Sequence, residues 1–247
     1  MSGHSKWSTI KRQKAVTDGR RAKVWARITR DMMVAAREGV ADPSMNARLA
    51  LCVEKAKAAN MPKDNIERAI KRGSGEIAGA DYEELTYEGY GAGGVAVFVE
   101  ALTDNPNRTV ADLRVYFSRA GGALGNSGSV AFMFERKGVF EIEAAAMPTG
   151  MTEDDLFLLA ADAGAEDLES DGGGGFVVTS PVEAFGPVLA ALRGAGIEPT
   201  EAALRRFPTA ATGADAETAE KVHAMLDRID DHPDVQAVYS TLSDPDA

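Results

Sequence analysis

The sequence predicts an α+β protein: an N-terminal three-helix domain followed by two ferredoxin-like α/β domains, the third inserted into the second. Three observations carry that reading. Residues 17–75 repeat apolar side chains at helical spacing between Gly and Pro breaks. Residues 138–207 read β-α-β-β-α-β, the split βαβ arrangement. Beyond residue 207 lie one helix and one strand, too little for a domain. That pair completes the β-β-α-β set of residues 82–134, so 135–207 reads as an insertion between two halves of one domain. The expected parts are a flexible basic arm at 1–16, a helical domain at 17–75, a discontinuous middle domain at 82–134 plus 208–247, and an inserted domain at 135–207.

Taking the elements in order, residues 1–16 have almost no apolar periodicity. A helix runs from about 17 to 38 and stops at Gly39. At ~100° per residue, Val24, Trp25, Ile28, Met32, Ala35 and Ala36 share one arc. Arg20, Lys23, Arg27, Arg30 and Arg37 share roughly the opposite arc, with Arg21 nearer the apolar side. Asp42-Pro43-Ser44 signals a second helix at about 44–59, and Asn60-Met61-Pro62 breaks it before a third at 63–72.

After a Gly/Ala-rich linker, 86–91 and 95–102 read as strands around a glycine turn, the second apolar enough for a central strand. A helix is expected at 107–120 and a strand at 129–134. The insert reads as strand 139–143, helix 152–163, strands 166–169 and 176–179, helix 182–193 and strand 197–205. A helix at 216–229 and a strand at 235–241 close the chain.

Charge is segregated. Residues 1–75 hold 17 Lys/Arg against 7 Asp/Glu, whereas 76–247 hold 10 against 31, and the whole carries −11. Such asymmetry suits a basic module for an anionic partner joined to an acidic body; the plainer alternative is that the two parts attract each other. One cysteine excludes an internal disulfide framework and fits a reducing compartment. With no apolar leader and no run of about 18 apolar residues, the chain reads as cytoplasmic, with no membrane partner.

Nothing in the motifs calls for catalysis, a cofactor, a metal or a small-molecule substrate. There is no Walker loop, no nucleophile elbow and no metal-spaced His pair. Cys52 sits on the apolar side of its helix, as a buried thiol would. The basic arm is the stronger signal. Lys6, Lys11, Arg12, Lys14, Arg20, Arg21 and Lys23 can neutralise phosphates, with Arg27 and Arg30 continuing the stripe. His4 can hydrogen-bond phosphate, and Trp7 either stacks on an unpaired base or packs on the first helix.

Longer stretches sharpen this. GHSKWSTIKRQKA, DPSMNARL, KAKAANMPKDNIERAIKRGSGE, YEGYGAGGVAVFVEALTDNPNRT and GSVAFMFERKG resemble the YebC/PmpR family, whose mitochondrial relatives are the TACO translational activators. The resemblance implies the same three-domain plan and no catalytic residues. It also implies nucleic-acid binding: family members are described as DNA-binding transcriptional regulators, and others act in translation on the ribosome. The expected partner is therefore rRNA or tRNA on the ribosome, or DNA. No base-reading recognition helix stands out, which favours structured RNA. A protein-binding adaptor acting through the acidic domains is the reading from another class.

Overall fold

The computed structural model describes residues 21–243. These form two compact units, one of residues 21–133 with 210–243, the other of 134–209. Among the described residues no helix is long and apolar enough to cross a membrane.

The first unit opens with α1 (Arg21–Glu38), α2 (Ala47–Ala58) and α3 (Lys63–Gly73). The apolar arc of α1 does what its spacing predicts: Ile28, Met32, Ala35 and Ala36 are buried, together with Leu49, Cys52, Ala56, Ile66 and Ala69 from its neighbours. Gly73 is required at the α3–α1 contact, because a Cβ there would run into the Met33 carbonyl. Helix α2 begins later than expected. Asp42 accepts from Ser44 N–H (2.9 Å) and Oγ (2.8 Å) in a turn of its own. Asn46 is the cap instead: its Oδ1 accepts from Leu49 N–H, while its Nδ2 donates to the carbonyls of Ala35 (2.7 Å) and Val40 (2.9 Å). One side chain thus starts α2 and ties off α1.

The same unit holds a four-stranded antiparallel sheet of order β3-β1-β2-β8, from β1 (Glu83–Tyr90), β2 (Ala96–Thr103), β3 (Ala123–Leu124) and β8 (Val235–Ser240). Strand β2 is central and almost wholly buried, as its apolar run requires. Helices α4 (Pro106–Arg119) and α7 (Ala216–Asp231) cover one face, where Val97, Val99, Leu113, Phe117, Val222 and Met225 meet.

Of the strand expected at 129–134 only Phe134 is extended, as the start of the next strand, and Ala131–Met133 is a 3-10 turn. Buried Glu88 accepts instead from the N–H groups of Gly128 (2.7 Å), Val130 (2.7 Å) and Ala131 (2.8 Å). Donors committed to a carboxylate cannot join a ladder, so the segment is a tight turn and the two-residue β3 takes the sheet edge.

The second unit is β4 (Phe134–Ile142), α5 (Glu153–Asp162), β5 (Asp167–Ser170), β6 (Phe176–Pro181), α6 (Phe185–Gly194) and β7 (Glu201–Pro208). Its antiparallel order β5-β6-β4-β7 is the split βαβ layout. Strand β7 starts four residues later than the apolar pattern suggested. Gly196 is left-handed (φ 81°) and Ile197 N–H caps α6 on the Leu192 carbonyl (2.9 Å), so Ile197 is buried as part of the helix end.

Candidate nucleic-acid interface

Of the residues expected to meet nucleic acid, His4, Lys6, Trp7, Lys11, Arg12, Lys14 and Arg20 lie outside the described residues. Arg21 is the first residue of α1. The other three are described in detail, and each already has a partner within the chain.

Lys23 Nζ donates to Asp231 Oδ1 at 2.9 Å and lies 3.6 Å from Asp230 Oδ2. Arg27 donates to Asp230 twice, to Oδ1 at 2.9 Å and to the backbone carbonyl. Arg30 donates to the Pro233 carbonyl and lies over the Tyr82 ring at 5.7 Å. The Lys23 and Arg27 side chains are only 19% and 22% exposed. The basic stripe of α1 is therefore closed onto the acidic C-terminal end of α7, where carboxylates and a late carbonyl carry negative charge. At this face the stripe expected to be presented to solvent is thus matched within the chain at Lys23, Arg27 and Arg30. Arg37 keeps to the surface, 2.6 Å from Asp81.

What holds the α7 end in place is a buried polar knot. Asp234 Oδ2 accepts from Arg108 (2.7 Å), Thr109 Oγ1 (2.8 Å) and Thr103 Oγ1 (3.1 Å), and the Asp234 carbonyl accepts from Leu102 N–H (2.8 Å). Burial alone would raise this carboxyl, but the Arg108 guanidinium and the two threonine hydroxyls outweigh it and hold it below the usual range. His232 Nδ1 accepts from Asp234 N–H (3.1 Å), which leaves Nε2 facing Asp112 Oδ2 at 3.1 Å. The segment EALTDNPNRT thus serves the fold: it grips the chain just beyond α7 and so positions the acceptors for α1.

Two acid groups of the helical part titrate away from their ordinary values. Asp31 on α1 is pushed up to about 6, by burial first, against the opposing charges of Lys55 and Arg48. Burial, then the charge of Asp31, pushes the Cys52 thiol up to about 11, so it is protonated at neutral pH and not a thiolate nucleophile. Among the described residues no group of three or more His, Cys, Asp or Glu could hold a metal.

Other cations remain available. Lys57 on α2 and Arg68, Lys71 and Arg72 on α3 are exposed and have no carboxylate partner among the described residues. The mixed charge of helices 2 and 3 hides them in the sequence, where the cationic surface reads as concentrated on the arm and helix 1. Their placement on one small domain is the signal that periodicity alone did not carry.

Two family models match the chain. One, described as the TACO1/YebC protein N-terminal domain, matches residues 5–76. The other, described as the TACO1/YebC second and third domain, matches residues 82–242. A probable transcriptional regulatory protein of Chlorobaculum tepidum is 49% identical over 242 residues, covering 98% of this chain and 95% of that protein. One of Treponema pallidum (strain Nichols) is 49% identical over 245 residues, covering 99% and 98%. The crystal structure of a conserved hypothetical protein from Aquifex aeolicus superimposes with a TM-score of 0.81 at 39% identity, over 92% of each chain.

Proposed function

This chain belongs to the TACO1/YebC family, and from that premise we propose that it is a non-enzymatic, cytoplasmic regulator of gene expression that binds structured RNA on the ribosome through its basic N-terminal arm. The observation that carries this reading is the charge segregation: 17 Lys/Arg against 7 Asp/Glu in residues 1–75, and 10 against 31 in the remainder. The acidic body is repelled by phosphate, which confines docking to the basic end. His4, Lys6, Lys11, Arg12, Lys14, Arg20 and Arg21 supply the phosphate contacts, and Trp7 is the candidate stacking residue. Lys23, Arg27 and Arg30 take a different part: they fasten α1, which the arm directly precedes, to α7. Arg68, Lys71 and Arg72 of α3 extend the basic surface of the same domain.

A second reading, DNA-binding transcriptional regulation, is favoured by the names of the relatives from Chlorobaculum and Treponema. Sedimentation of cell lysates separates the two. Co-migration with ribosomal particles supports the translational reading. Migration as free protein at low salt, with a reproducible promoter footprint, would replace it with the transcriptional one.

A further inference from the structure

Helix α4 carries the charge anomaly of the acidic part. At ~100° per residue, Arg114, Ser118, Ala111, Val115 and Arg119 succeed one another across a single arc, and all five are exposed. Thr109, Leu113 and Phe117 lie opposite, buried against the sheet. No carboxylate falls on the exposed arc. Asp112 lies at its edge and faces His232. Arg108, also on this side, is already engaged by Asp104 (3.0 Å) and Asp234 (2.7 Å). Arg114 and Arg119 have no acidic partner among the described residues.

That pattern is unlike a solvated helix of an acidic protein, where acids and bases alternate and pair. The neighbouring α7 shows the ordinary case, exposing Glu217, Glu220, Asp227 and Asp231 around Lys221 and Arg228. In a segment with 31 Asp/Glu to 10 Lys/Arg, an exposed helix arc that carries two arginines unpaired among the described residues, with only the half-exposed Asp112 at its border, concentrates positive charge. The side chains between the arginines are small or apolar, and Val115 is 43% exposed, so a rod-like partner can lie close along the ridge. The two arginines are about 7.5 Å apart along the axis at the ~1.5 Å rise per residue. Their guanidinium forks suit phosphate oxygens, each bound through two N–H groups.

We propose that the exposed face of α4, flanked by Arg114 and Arg119 on either side of the Ala111, Val115 and Ser118 ridge, is a second nucleic-acid contact that holds the phosphodiester backbone of RNA. It rests on the reading that the chain binds RNA through its arm, and adds a contact in the acidic part of the molecule.

The test is the salt dependence of binding to purified ribosomal RNA, measured for the full chain, for Arg114→Ala/Arg119→Ala and for Arg114→Lys/Arg119→Lys. The alanine pair should weaken binding and flatten the log–log salt slope by about 1.4–1.8, the change expected when two phosphates are released. The lysine pair should keep most of the slope. An unchanged slope for the alanine pair, with the full chain still binding, overturns the α4 contact alone. Failure of the full chain to bind RNA overturns this contact and the arm reading together. Unchanged binding to purified RNA with lost association to intact ribosomes would assign the face to a protein partner and overturn the proposal.

Discussion

Helices α1 and α4 both carry rows of basic side chains, and the structure treats them in opposite ways. On α1, Lys23, Arg27 and Arg30 close onto Asp230, Asp231 and the Pro233 carbonyl. On α4, Arg114 and Arg119 meet no acid among the described residues, although the surrounding chain is strongly acidic. Charge counted along a sequence gives supply, not availability. A stripe is free to bind a partner only where the fold has not already matched it. The richer stripe, α1, belongs to the architecture, and the sparser one keeps its charge unmatched.

The sharpest way to break this contrast is to remove what positions the acceptors of α1. Asp234→Ala strips a buried carboxylate from Arg108, Thr103 and Thr109 and should cost about 3 kcal/mol of stability in denaturant unfolding. Because the folded carboxyl titrates below its unfolded value, its contribution is complete above the ordinary Asp range and disappears as pH falls through the lower folded value. The gap between variant and parent should therefore narrow below about pH 4. A full gap persisting there would mean that packing, not charge, holds the knot.

A second comparison is direct. Arg27→Ala should cost about 1–2 kcal/mol, since it removes a charge-assisted hydrogen bond to Asp230. Arg114→Ala should stay within about 0.5 kcal/mol, as surface changes away from such features do. Equal losses would erase the distinction between a matched face and a free one.

The smallest effect concerns a cost that α1 itself bears. Asp31 titrates near 6, above its unfolded value, so its charged form opposes folding at neutral pH. Asp31→Asn should raise stability by about 1 kcal/mol at pH 7, with the gain fading below about pH 4, where both folded and unfolded carboxyls are protonated. A flat difference across that window would remove the carboxyl from the account.

Local pattern made much of the fold legible. The apolar arc of α1 and the continuous run of β2 each come from spacing, and the α+β class with one domain set inside another comes from the order of the elements. What spacing missed were side chains that capture backbone donors. Glu88 takes three N–H groups from a segment with a strand-like composition, and Asn46 displaces a helix start marked by Asp42-Pro43-Ser44. Both depend on tertiary placement. The candidate site was legible only as charge. That Lys23 meets Asp231, and Arg27 meets Asp230, more than 200 residues away, is a long-range pairing with no periodic signature.

The proposed function stands or falls with nucleic-acid binding by the basic arm. The direct measurement is the salt dependence of RNA binding by Lys11→Ala/Arg12→Ala/Lys14→Ala beside the unaltered chain. The triple variant should bind more weakly, with a slope shallower by about 0.7–0.9 for each phosphate the arm no longer neutralises. The same affinity and slope in both proteins would contradict it.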